Sequence, residues 1–250
     1  MNPFSLHNKT ILITGASSGI GQATAIACDQ QGSRLLLLGR NMERLTETLQ
    51  KLSSKNHRVL AIDLTNFEDV TQQLSIFLKD VTCIDGVVHA AGITATYPFK
   101  LFKPEQLDAI LKINVQATFY ITKLLLKKLN KEGASLVFIS SIMASVGEKA
   151  KTMYAMSKGA VSAGAKSLAI EYASKNVRVN TIAPGIVNTP MTANASYKKD
   201  EALLAKTLEK YPLGFGEPMD IAHSCVFLLS DASSWITGTE ITIDGGYSAS

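Results

Sequence analysis

Tyr154 and Lys158 stand four residues apart in MYAMSKGA, so a helical segment would present both side chains on one face. A free phenol has a pKa of about 10 and is a poor base at neutral pH, but a neighbouring ammonium favours the phenolate. The pair is therefore a candidate acid/base for moving a proton on or off an oxygen atom, with Lys158 supplying the electrostatic push. Lys158 can also hold ribose hydroxyls, which would link the position of a bound nucleotide to proton transfer. Thirteen residues before the tyrosine, at the end of an aliphatic run, Ser141 can donate a hydrogen bond to a carbonyl oxygen as charge grows there. Ser140 beside it is expected to face a cofactor. Asn114, an amide in an apolar stretch, can tie Lys158 to bulk water through a relay. Singly, these residues have plainer readings as a chance Tyr-x3-Lys pair, a strand-end cap and a satisfied core amide. Their joint order gives them weight.

A second constellation is TGASSGIG at 14–21. Gly15, Gly19 and Gly21 fall where a strand turns into a helix. Glycines there allow tight backbone turns, and the helix N-terminus offers unpaired N–H groups and a positive dipole end to a pyrophosphate. The Gly-x3-Gly-x-Gly spacing differs from the G-x-G-x-x-G fingerprint, but strand, turn and helix together point to a dinucleotide, with Ser17, Ser18 and Ile20 completing the contact loop. The second strand ends in LLLLGR. Gly39 and Arg40 thus occupy the turn where an acidic residue would bind a ribose 2′-hydroxyl, and an arginine there suits a 2′-phosphate. NADP(H) is the expected cofactor, NAD(H) the alternative, and a solvated surface role the plain reading of Arg40. Asp63 and Leu64 follow the third strand at the edge where ligands sit in such sheets. Asp63 can accept from an adenine amino group or cap the helix that starts at Phe67. Ala90, Ala91 and Gly92 close the fourth strand with side chains small enough to admit an adenosine or simply to pack.

The elements that must position these groups are short aliphatic runs separated by helical-period stretches, the pattern of a doubly wound parallel sheet. Strands are expected at 10–14, 34–38, 58–63, 86–89, 135–140, 178–183 and 240–243, and helices at 19–31, 42–54, 67–78, 104–130, 152–173 and 219–229. Together they make one α/β domain over 1–250, a single-domain Rossmann fold with a seven-stranded parallel sheet flanked by helices. The interruption at 188–218, with a helix near 201–210, reads as a lid over the substrate.

With 46% apolar residues, the 250-residue chain can bury a sizeable core, which excludes a disordered or fibrous protein. A net charge of +4, spread over interleaved basic and acidic residues, demands no nucleic acid. Lys123, Lys127, Lys128 and Lys131 read as a solvated helix end. Cys28, Cys83 and Cys225 lack CxxC spacing, and His7, His57 and His223 are surface or packing residues without companions, so neither a disulfide framework nor a metal is expected. No stretch approaches the roughly 18 apolar residues of a bilayer span and MNPFSLHNKT has no signal pattern; a cytoplasmic protein without a membrane partner is expected. Trp235 and Tyr247 are read as core or subunit-contact residues, and Tyr97, Phe99 and Phe102 as pocket lining or sheet cover.

In order and spacing, TGASSGIG, Ala-Ala-Gly at 90–92, Asn114, Ser141, Tyr154 with Lys158, and Pro184 with Gly185 resemble the short-chain dehydrogenase/reductase family over nearly the whole chain. ITGTEITIDGG at 236–246 is similar to the subgroup containing 3-oxoacyl-acyl-carrier-protein reductases. The resemblance implies an NAD(P)-dependent oxidoreductase moving a hydride between nicotinamide and a carbonyl or alcohol, with a small and in some cases carrier-bound substrate. It implies Tyr154 as acid/base, Lys158 as its pKa-lowering and ribose-binding partner, Ser141 as substrate orienter and Asn114 as relay anchor. It also implies that Pro184, Gly185, Val187 and Thr189 flank the nicotinamide, and that the protein is a homotetramer, or else a homodimer. Sugar, polyol or small-ketone dehydrogenases and a non-catalytic dinucleotide sensor are the alternatives. The pattern departs at His89, where the family's amide is replaced and histidine is expected to take over its hydrogen bonds, and at Ser18, where many NADP-preferring members carry a basic residue.

Overall fold

A computed structural model of the protein describes residues 2–193 and 195–249. The aliphatic runs become strands β1 (Thr10–Thr14), β2 (Arg34–Gly39), β3 (Arg58–Ala61), β4 (Gly86–His89), β5 (Ala134–Ile139), β6 (Val177–Pro184) and β7 (Glu240–Ile243). All pair in parallel, in the order β3-β2-β1-β4-β5-β6-β7. The continuous burial of Leu35, Leu36, Leu37 and Leu38 is what a parallel strand covered on both faces demands. Burying each such side chain contributes about 1.5–3 kcal/mol. The order reverses between β1 and β4, so their carboxyl ends open the crevice where such sheets bind ligands.

The helices are α1 (Gly19–Gln30), α2 (Met42–Gln50), α3 (Phe67–Phe77), α4 (Pro104–Leu111), α5 (Thr118–Leu125), α6 (Thr152–Tyr172), α7 (Pro190–Ala193), α8 (Glu201–Leu208) and α9 (Pro218–Leu229). One face of the sheet is covered by α1, α2 and α9 through residues such as Cys28, Leu45 and Cys225, and the other by α3, α5 and α6 through Leu74, Ile121 and Val161.

Four details differ from expectation. β3 stops at Ala61, after which the Asp63 carboxylate accepts from the backbone N–H and hydroxyl of Thr65 at 2.9 and 2.8 Å. Asn66 is then the residue that caps α3. The helix expected over 104–130 is interrupted by a π-helical turn, Lys112–Ala117, around Asn114, a feature frequent at functional sites. The run Pro104–Lys128 is also long and apolar enough to cross a membrane, at mean hydropathy 1.2, against the expectation that no stretch would be. Here it packs as a core helix, with Ala117, Ile121 and Leu125 in the sheet-facing cluster. Trp235 is 99% exposed and therefore not a core residue. At the edge of the sheet opposite the crevice, the side chain of His57 is buried. Its Nδ1 accepts from the backbone of Leu35 at 3.0 Å, leaving Nε2 to donate to Asp29 at 2.9 Å.

Candidate active site

The turn after β1 is built around its glycines. Gly15 and Gly19 have φ of +69° and +54°, a region that costs other residues. A methyl on Gly15 would lie 2.7 Å from the backbone nitrogen of Ala91, and one on Gly21 2.3 Å from the carbonyl oxygen of Gly15. Ser18 stands in the capping position of α1 yet makes no capping hydrogen bond, whereas Asn41, Asn66 and Asp200 cap α2, α3 and α8. The first N–H groups of α1 are thus held for another acceptor, and a pyrophosphate fits this cradle.

The other expected cofactor residues gather round the same crevice. The Thr189 methyl would meet a side chain at Gly19 at 3.2 Å. Pro184 ends β6, the backbone of Gly185 donates to Ile243 at 2.9 Å, and Val187 bridges to Gly216. On the β4 side, Ala90 and Ala91 lie against Gly15, and a methyl on Gly92 would stand 3.0 Å from Asn114 Oδ1 and 3.7 Å from Lys158 Nζ. Arg40 and Asp63 are exposed together at the far end. The hydrogen bonds from Thr65 hold the Asp63 carboxyl below its usual range, with a smaller contribution from the Arg40 guanidinium. The Leu64 side chain is committed to the core.

Arg44 escaped the sequence reading. It lines a cleft of about 500 Å³ together with Ser17, Ser18, Gly19 and Lys51, so α2 offers a cation where Ser18 offers none. Its position is one turn into a helix, and only the packing of α2 beside the phosphate turn reveals it.

β5 and α6 bring the expected reactive groups together. The Ser141 side chain lies beside the Tyr154 hydroxyl, where it favours the phenolate, and Ser141 Oγ accepts from the backbone of Met143 at 3.2 Å. Lys158 Nζ lies 5.8 Å from the centre of the Tyr154 ring and donates to the carbonyl oxygen of Ile139 at 2.7 Å. Burial pushes the phenol's pKa up, partly opposed by Ser141, and burial lowers the Lys158 ammonium to about 8. The direction at Tyr154 is thus opposite to that expected from the pair alone, because desolvation by burial is the largest effect on the phenol. Asn114 accepts from the backbone N–H of Ile93 at 2.8 Å and donates to the carbonyl of Ile93 and to Ser157 Oγ, both at 3.0 Å. Ser157 donates in turn to the carbonyl oxygen of Tyr154 at 2.8 Å. Lys151, also missed, bonds to Thr96 at 2.6 Å and stands 5.9 Å from the Tyr154 ring.

Two expectations are corrected. Ser140 does not face the crevice; it is buried and bonded to Ser162 Oγ at 2.7 Å. His89 does not serve the loop at 90–92. Its Nε2 bonds to Thr122 at 2.9 Å on α5, its ring stacks on Phe138, and burial lowers its pKa to about 3, so the imidazole is neutral. Tyr97 and Phe99 are exposed and do not cover the sheet. The segment carrying α7 and α8 is pinned at its base, where the backbone of Gly216 accepts from Asn188 and donates to Ile186, and Tyr211 packs on Phe215 and Tyr247.

A sheet crevice with an uncapped glycine turn at one end, and Tyr154 beside Ser141 with a buried lysine behind them, has the arrangement of a dinucleotide-dependent oxidoreductase. The family model described as enoyl-(acyl carrier protein) reductase matches residues 15–248. A 3-oxoacyl-[acyl-carrier-protein] reductase of Thermotoga maritima is 34% identical over 246 residues, spanning 96% of this chain and 98% of that protein. Carbonyl reductase family member 4 of Danio rerio is 33% identical over 240 residues, spanning 96% and 98%. A solved structure from Agrobacterium tumefaciens, designated a 2-deoxy-D-gluconate 3-dehydrogenase with bound NADP, superposes with a TM-score of 0.89 at 30% identity over 100% of both chains. The chain belongs to the short-chain dehydrogenase/reductase family and is an NAD(P)-dependent oxidoreductase.

Proposed function

We propose that the protein is an NADP(H)-preferring reductase of 3-oxoacyl thioesters in which Tyr154 exchanges the proton of the substrate oxygen. The observation that carries this reading is the meeting of Tyr154 with Ser141 where α6 is tied to the end of β5 by the bond from Lys158 to the carbonyl of Ile139 at 2.7 Å. The dinucleotide, when bound, supplies or accepts the hydride. Tyr154, kept protonated by burial, gives its hydroxyl proton to the carbonyl oxygen, and Ser141 steadies that oxygen as charge develops. Lys158 holds the ribose hydroxyls and, with Asn114 and Ser157, carries the path by which Tyr154 regains its proton. Gly15, Ser17, Ser18, Gly19, Ile20 and Gly21 hold the pyrophosphate. Arg40 with Arg44 takes the 2′-phosphate, Asp63, Leu64, Ala90, Ala91 and Gly92 flank the adenosine half, and Pro184, Gly185, Val187 and Thr189 flank the nicotinamide. The single domain carries its lid at 188–218, and the protein works as a homotetramer through the apolar faces of α5 and α6.

The thioester reading draws its support from the 3-oxoacyl-[acyl-carrier-protein] reductase relatives. The test is a parallel titration with NADPH and NADH, followed by NADPH oxidation with an acetoacetyl thioester, small diketones and sugars. Turnover on the thioester that vanishes in Tyr154→Phe, with NADPH binding intact, is the expected result. Turnover confined to sugars would replace the substrate assignment, and comparable activity in the variant would remove the role of Tyr154.

A further inference from the structure

Three polar rungs join α6 to the end of β5, and the chemistry above uses two of them, Tyr154 with Ser141 and Lys158 with the carbonyl of Ile139. The third joins Ser162, one turn beyond Lys158, to Ser140 at 2.7 Å, and both serines are buried. Its direction is set from outside. Ser162 donates to the Oε2 carboxylate oxygen of Glu240 on β7. A carboxylate only accepts, so the hydrogen of Ser140 is the one that joins the two serines, shared with the carbonyl of Lys158 at 3.3 Å. Glu240 Oε2 also accepts from Thr181 on β6, its register partner, at 3.1 Å, and Oε1 lies 3.5 Å from Ser145 Oγ. Among the described residues no cation pairs with Glu240. A lone carboxylate on an edge strand thus collects hydroxyls from β6, α6 and the loop after β5.

We propose that Glu240 is a positioning residue for the reaction. Through Ser162 and Ser140 it fixes the distance between the strand end that carries Ser141 and the helix that carries Tyr154 and Lys158. The proposal rests on the reading of those three as the reacting and orienting groups. Without the carboxylate, the hydrogen of Ser162 is free to turn to Ser140 and that of Ser140 to the Lys158 carbonyl. The rung then loses its single arrangement, and small displacements between reacting groups carry large rate effects.

The experiment compares Glu240→Ala, Glu240→Gln, Ser162→Ala and the double alanine variant. Glu240→Ala is expected to lower kcat about tenfold while KM and the NADPH Kd stay within about twofold. Glutamine, whose Oε1 still accepts from Ser162, is expected to restore kcat to within about twofold of the original. Ser162→Ala should match Glu240→Ala, and the double variant should be no worse than either, as members of one chain behave. An unchanged kcat in Glu240→Ala overturns the proposal; so does a joint fall of kcat, NADPH affinity and Tm without rescue by glutamine, which would mark Glu240 as a fold residue. If Glu240→Ala does not fold, wild-type kcat in Ser162→Ala overturns it instead. A natural protein that turns over no carbonyl substrate would sink the reading of the site. Amide exchange then decides the rung alone: faster exchange confined to 139–145 and 154–162 in Glu240→Ala or Ser162→Ala, with Glu240→Gln close to the original, supports it, and unchanged protection there in both alanine variants overturns it.

Discussion

Lys158 donates its Nζ hydrogen to the carbonyl oxygen of Ile139 at 2.7 Å, a bond that spends one of the three ammonium hydrogens on the strand end and leaves the others for the crevice. The same burial that makes this bond dry lowers the Lys158 pKa to about 8.

A pH effect follows. The folded pKa lies below that of an unfolded lysine, so the unfolded chain binds more protons between the two values and stability rises with pH there. Relative to Lys158→Met, the protein without dinucleotide should gain up to about 3 kcal/mol as pH rises from about 8 to about 10.5. Urea denaturation at a series of pH values for both proteins measures it, and parallel curves would show that the ammonium is not desolvated.

Arg40 and Arg44 flank the phosphate turn from the β2 end and from α2. Replacing either with alanine is expected to weaken NADPH binding about tenfold, the cost of losing one charged hydrogen bond. NADH binding should change by less than about twofold, since the ribose 2′-hydroxyl carries no charge. Fluorescence titration gives both constants; an unchanged NADPH to NADH ratio in Arg44→Ala would leave Arg40 alone in that role.

Asn114→Ala leaves the N–H and C=O of Ile93 without their partner. The expected loss is about 1–3 kcal/mol, with a fall in turnover because the loop beside Gly92 is no longer tied to α6. Thermal unfolding and steady-state kinetics on the same preparation check it; a variant as stable and as active as the parent would show that water replaces the amide.

Gly15→Ala places a methyl 2.7 Å from the backbone of Ala91 at a positive φ. The conformation alone costs about 1–2 kcal/mol, and the displaced turn should lose dinucleotide binding as well. Calorimetric titration with NADPH is the check, and full affinity would mean that the turn relaxes without cost.

The strand and helix positions were legible because local signals agree: aliphatic runs, helical-period stretches and glycines at the β1 turn all favour one local structure, whereas the order of strands in the sheet and the capping of α3 by Asn66 came from the structure. Tyr154, Lys158 and Ser141 were legible for the same reason, since a helical spacing of four and the end of an aliphatic run place side chains without knowledge of the rest. The direction of the Tyr154 pKa was not. Desolvation depends on everything packed round the ring, and it reversed the effect expected of Lys158. The turn of Ser140 away from the crevice, the commitment of His89 to Thr122, the presence of Arg44 beside Ser18 and the Glu240 chain all join residues far apart in sequence. The sequence by itself determined the fold, the glycine turn after β1 and the placing of Tyr154 and Lys158 on one helix, because periodicity, glycine placement and helical spacing are local properties. Tertiary structure alone decided which neighbours each polar group meets and how dry it becomes, because burial and hydrogen-bond partners are set by packing between distant segments.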